Sequence, residues 1–100
     1  MPLTLVVHDL DMPGTATSPD ALRAFHDAIW ELAPTHWHVS SCSVLLNTSV
    51  SPTYLRDVLV RALGRAGGTP GLMLVTRVSD NAAWCGLPAE GEQWLRATVE

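Results

Sequence analysis

Apolar positions along the chain repeat with two different periods. Four stretches rich in strand-favouring residues, Leu3 to Asp9, His36 to Ser40, Cys42 to Thr48 and Leu72 to Val78, read as strands. Between the first two, Leu22, Phe25, Ile29 and Leu32 recur at helical spacing with Arg23, Asp27 and Glu31 opposite them, which predicts one apolar stripe on an amphipathic helix. Between the last two, Leu55, Leu59, Ala62 and Leu63 repeat the pattern, with Asp57 and Arg61 placed as an i,i+4 pair. Both helices open alike, on Ser-Pro-x-x-Leu-Arg from Ser18 and from Ser51. Serine can cap the free amides of a first turn, and proline there loses no hydrogen bond. The first helix is expected to end near Pro34 and the second between Gly64 and Gly68.

The order is therefore β-α-β used twice, which predicts an α+β chain with the ferredoxin-like β-α-β-β-α-β sandwich, both helices on one face of an antiparallel sheet. Residues 1–100 make a single domain, with a C-terminal extension from about 82 to 100. That extension has a turn at Gly86 to Pro88 and a short helix from Ala89 to Val99, with Trp94, Leu95 and Val99 as its contacts. The strands are apolar on both sides: Leu3, Leu5 and Val7 against Val6, and Leu72 and Leu74 against Met73 and Val75. A sheet wetted on one face should alternate cleanly, so the helix-free face is expected to be covered. A second copy of the chain is the simplest cover, predicting a homodimer packed sheet to sheet, while the extension caps the sheet edge or reaches the partner.

Charge adds one constraint. The net charge is −4 and all six basic residues are arginine, which disfavours tight nonspecific nucleic-acid binding unless folding gathers the arginines. No basic leader segment opens the chain and no apolar run approaches about 20 residues, so the expectation is a soluble, cytoplasmic protein with no membrane association. Cys42 and Cys85 lack metal-type spacing and are expected as reduced, partly buried thiols; Trp30, Trp37, Trp84 and Trp94 are expected in core or interface packing.

Two groups of residues could carry chemistry. Asp9 and Asp11 flank the end of the first strand, where two carboxylates can share a hard divalent cation such as Mg2+, and a symmetric dimer could bring two copies of Asp9 together. The alternative role is capping the turn at Met12 to Gly14. His36 and His38, in His-Trp-His, fall on one face of a strand as a metal site requires, and His8 is a further imidazole, but no other ligand motif completes a zinc set. His26 reads as a boundary residue. Ser40, Ser41 and Ser43 sit in no Gly-x-Ser-x-Gly elbow. The opening Asp-x-Asp resembles the haloacid-dehalogenase phosphatases, yet Met12 and Pro13 intervene before Gly14 and there is no lysine to hold a phosphate.

Several ordered motifs, Val6 to Gly14, Trp37 to Ser51, Leu55 to Leu59, Leu72 to Val78, Ala83-Trp84-x-Gly86 and Trp94-Leu95, resemble the small bacterial SinR-like proteins. That family is unrelated to the biofilm repressor of similar name. It is in turn similar to the Cas-two family, the small subunit of the CRISPR spacer-integration complex. The resemblance implies a ferredoxin-like homodimer in which Asp9 holds the place of the nuclease members' magnesium-binding aspartate. His8 stands where a tyrosine is usual, and Val39-Ser40-Ser41-Cys42-Ser43 replaces a strand reading Tyr-Leu-Asp-Ser-Thr. Three functions follow as expectations: a non-enzymatic or weakly enzymatic accessory or regulatory dimer in a defence or toxin-antitoxin setting, with a possible protein partner; a metal-dependent endonuclease using Asp9 on RNA or DNA; and a small-molecule-binding dimer using the tryptophans with His36 and His38. Arginines gathered beside Asp9 would favour the nuclease, a flat acidic surface the interaction module, and a deep aromatic pocket the ligand binder.

Overall fold

The two Ser-Pro signals start helices as the sequence predicts. In a computed structural model, which describes residues 3–10, 18–68, 71–78 and 83–99, Ser18 stands in extended backbone and its Oγ accepts the Ala21 amide at 3.1 Å, opening α1 (Pro19–Leu32). Ser51 does the same for Tyr54 at 3.1 Å, opening α2 (Pro52–Arg65). The first helix closes with the Ala33 amide donating to Ile29 O at 2.8 Å, one residue before Pro34. The second closes at Gly67, whose φ of +80° is open to glycine and strained for a side chain, while the Gly68 amide returns to Leu63 O at 2.8 Å.

Among the described residues four strands, β1 (Leu3–His8), β2 (His36–Ser40), β3 (Ser43–Asn47) and β4 (Met73–Val78), form one sheet in the order β2-β3-β1-β4, every neighbouring pair antiparallel. With α1 and α2 as the connections, this is a β-α-β-β-α-β arrangement consistent with the ferredoxin-like fold. Strand β1 ends at His8, so Asp9 lies just beyond the ladder.

The register sorts the side chains onto two faces. His38, Val44, Val6 and Val75 share one row, and His36, Leu46, Thr4 and Arg77 the next, on the face beneath α1 and α2. Here Val6, Val44 and Leu46 are fully buried against Phe25 and Ile29 of α1 and Leu55, Leu59 and Leu63 of α2. Each such leucine contributes roughly 1.5–3 kcal/mol by leaving water. The buried stripe of α1 is Ala21, Phe25, Ala28 and Ile29, turned slightly from the expected one, so that Leu22 and Leu32 are only half-buried.

Trp37, Leu45, Leu5 and Thr76 belong to the opposite face. The C-terminal helix α3 (Ala89–Val99) seats here: Gly91 is buried against the Trp37 ring, and a Cβ at Gly91 would fall 2.6 Å from Trp37 Cε2. Leu95 is buried and Trp94 half-buried, while the side chain of Val99 lies outside those described. The chain's own helix thus covers the β2 side of a face that the sequence assigned to a second copy. At the β4 side, Leu72 and Leu74 remain 56% and 53% exposed.

Several expectations change. Asp57 pairs with its neighbour Arg56 at 3.0 Å, because Arg61 turns toward the groove between α1 and α2. Trp30 is 60% exposed, outside the core, and Cys85 is exposed where partial burial was expected; Cys42 is half-buried, and both thiols are free. No helix among the described residues is long and apolar enough to cross a membrane.

Candidate functional site

The aspartate end of β1 is built from three residues of known placement. His8 is buried under Phe25, ring centres 4.8 Å apart, and its Nδ1 accepts the Leu10 amide at 3.2 Å. That acceptance leaves the neutral ring with its hydrogen on Nε2. His8 therefore shapes the turn out of β1 and faces the core. Asp9 is half-buried, and its carboxylate lies against the backbone of Gly71, where a Cβ would meet both oxygens at 2.7 Å. Only a glycine lets the carboxylate approach the start of β4 so closely. Asp11 and the turn at Met12 to Gly14 lie outside the described residues. Among the described residues, no group of three or more His, Cys, Asp or Glu is arranged to hold a metal ion.

The arginines are placed elsewhere. Arg77 spans β4, β1 and the loop before α2, donating to Thr4 Oγ1 at 3.1 Å, Thr48 O at 2.8 Å and Val50 O at 3.1 Å. Arg56 pairs with Asp57, and Arg96 with Glu92 at 2.8 Å while lying 5.8 Å from the Trp84 ring centre. Arg61 and Arg65 line a groove of about 360 Å3 across from Asp27 and Glu31 of α1. The rest of that groove is alanine and Val58, with no aromatic ring.

A second constellation forms at the β2 edge of the sheet. His36 and His38 share the α1 face, as their i,i+2 spacing requires. His26 of α1 joins them, giving a row in which His38 stands 5.1 Å from His26 and 5.4 Å from His36, ring centre to ring centre. Trp30 closes the outer end, 4.7 Å from His36, and Phe25 connects His26 inward to His8. His36 Nδ1 lies 2.7 Å from Ala33 O, and since a carbonyl only accepts, Nδ1 carries the hydrogen and the neutral ring keeps its lone pair on Nε2. His38 is solvent-exposed as a residue, but its ring is partly withdrawn from water against α1. That withdrawal, then the charges of His26 and His36, hold its pKa below the usual histidine value.

The i,i+2 spacing placed His36 and His38 on one face, as the register shows; the further imidazole beside His38 is His26, and His8 joins the row only through Phe25. One signal for His26 was available: it lies four residues before Trp30, so both point from the same side of α1. Comparison with protein-family models, with curated proteins and with solved structures returned no match.

Proposed function

We propose that the chain is a homodimeric accessory module of the SinR-like and Cas-two-like kind, working in a prokaryotic defence or toxin-antitoxin setting by binding and not by chemistry of its own. The observation that carries this is the pair Leu72 and Leu74, more than half exposed, on the side of the sheet that α3 leaves open. β4 is an edge strand of the described sheet, with one row of backbone groups facing away from β1. A second copy meeting it about a two-fold axis buries both leucines of each chain. The placement of the arginines supports binding over catalysis: Arg77, Arg56 and Arg96 are engaged within the chain, and Arg61 and Arg65 face the acidic side of a groove between helices.

One observation favours a second reading, the metal-dependent endonuclease. The Asp9 carboxylate lies against Gly71, next to Leu72, so a dimer formed through this side of the sheet brings both copies of Asp9 toward its axis. One carboxylate from each chain, with water, could hold Mg2+, which would supply activation of a water for attack on phosphate.

Sedimentation equilibrium of wild type and Leu74→Asp tests the leading reading. A wild-type dimer that becomes a folded monomer in the variant is the expected result, and a wild-type monomer at micromolar concentration sinks it. Cleavage of labelled RNA and duplex DNA with Mg2+ or Mn2+, lost in Asp9→Ala, would instead establish the endonuclease.

A further inference from the structure

We propose that the imidazole row at the α1–β2 edge is a site for a borderline divalent transition cation such as Zn2+ or Ni2+, with His36 and His38 as its two protein ligands. It stands independently of dimerisation and of Asp9.

Imidazole nitrogen is the ligand type these ions prefer, while Mg2+ and Ca2+ prefer oxygen. Two imidazoles on one tetrahedral ion, each nitrogen about 2.0–2.1 Å from it, have ring centres about 5 Å apart. His38 stands at that separation from His36, 5.4 Å, and from His26, 5.1 Å. His36 is already oriented as a ligand usually is: its Nδ1–H donates to the Ala33 carbonyl, fixing the tautomer and leaving Nε2 to coordinate. Both residues sit on an edge strand of the described sheet, where an ion can approach from solvent.

The three rings form a row and not a three-sided cage, in keeping with the absence of a three-ligand group among the described residues. Two protein nitrogens and water therefore make up the coordination shell, with His26 as the inward neighbour of His38, outside the shell. Such a site is accessible and exchangeable, unlike a closed structural zinc.

The test titrates Zn2+ into the metal-stripped full chain by calorimetry near pH 7. One ion per chain is expected, with His36→Ala and His38→Ala each weakening binding about tenfold or more and the double variant abolishing it. Asp9→Asn should bind as wild type does. Circular dichroism checks each fold, and His36→Gln and His38→Gln replace any alanine variant that fails to fold. A second readout uses Ni2+: because Trp30 lies 4.7 Å from His36, bound Ni2+ quenches its fluorescence, and Trp30→Phe removes that share of the quenching. The proposal is overturned if wild type takes up no Zn2+ at millimolar concentration, if the double variant binds as wild type does, if Asp9→Asn weakens binding as much as His36→Ala, or if Trp30→Phe leaves the quenching intact.

Discussion

Replacing Gly91 by alanine puts the seating of α3 to a test in which two physical effects have opposite signs. In an exposed helix interior this change is favourable by about 0.8–1 kcal/mol, because glycine loses more backbone freedom on folding. At Gly91 the new methyl would lie 2.6 Å from Trp37 Cε2 and closer still to two further ring carbons. Carbon atoms pack best at about 3.5–4.0 Å, so α3 or the indole must retreat by about 1 Å or more. Overpacking of this kind costs about 1–3 kcal/mol, which outweighs the helix gain and leaves a net loss of about 1 kcal/mol. For a domain of this size, that loss lowers the melting temperature by about 4–8 °C. Urea unfolding followed by circular dichroism measures it, in wild type and in a Trp37→Ala background. Without the indole the same Gly91→Ala change should stabilise, and the difference between backgrounds is a coupling of about 1–3 kcal/mol. Equal stabilisation in both backgrounds would mean that α3 does not rest on Trp37, and the account of that sheet face would fall.

Two further outcomes follow from contacts described above. Arg77→Ala should cost about 1–2 kcal/mol in chemical denaturation, since three charge-assisted hydrogen bonds to Thr4, Thr48 and Val50 are lost at a partly exposed site; Arg77→Lys should recover little, because an ammonium cannot reproduce the guanidinium fork. The third concerns pH in the metal-free protein. His38 is harder to protonate in the folded chain than at its ordinary value of about 6.5. As pH falls through that value the unfolded chain takes up its proton first, so stability declines, and the decline stops below the lower folded pKa. The groups facing His38 are His26 from α1 and His36 on its own strand. Unfolding midpoints measured against pH should show a shallower acid loss in His38→Gln; curves of equal slope would refute it.

The strands and helices were readable because each signal is local. Ser-Pro caps, period-two and period-3.6 patterns and closing glycines act within a few residues, and the seven elements among the described residues fall where such signals lie. What needed the fold were relations between elements. The partner of Asp57 depends on how α2 is rotated against α1, since the rotation that buries Leu55, Leu59 and Leu63 sends Arg61 into the groove. The apolar second face was legible in Leu3, Leu5 and Val7, but its cover was not: Gly91 is recognisable as a seat for Trp37 only once α3 lies across β2. At the candidate site the same division holds. His36 and His38 share a strand and could be paired from spacing alone, whereas His26 reaches them only through the crossing of α1 over β2.

The place of β1 in the sheet bears on how the chain folds. Its registers run from Leu3 to Asn47 on one side and from Leu3 to Val78 on the other, so among the described strands one of the two interior ones is the first in chain order and one of its neighbours the last. Such long-range pairing makes folding slower than in a helical bundle of the same length, where contacts are local. Any species that holds β1, β2 and β3 before β4 has paired would present the apolar run Leu5, Val6, Val7 along an open edge. An open edge of that composition invites pairing with another chain. Refolding yield should therefore fall with protein concentration even when the folded protein is soluble.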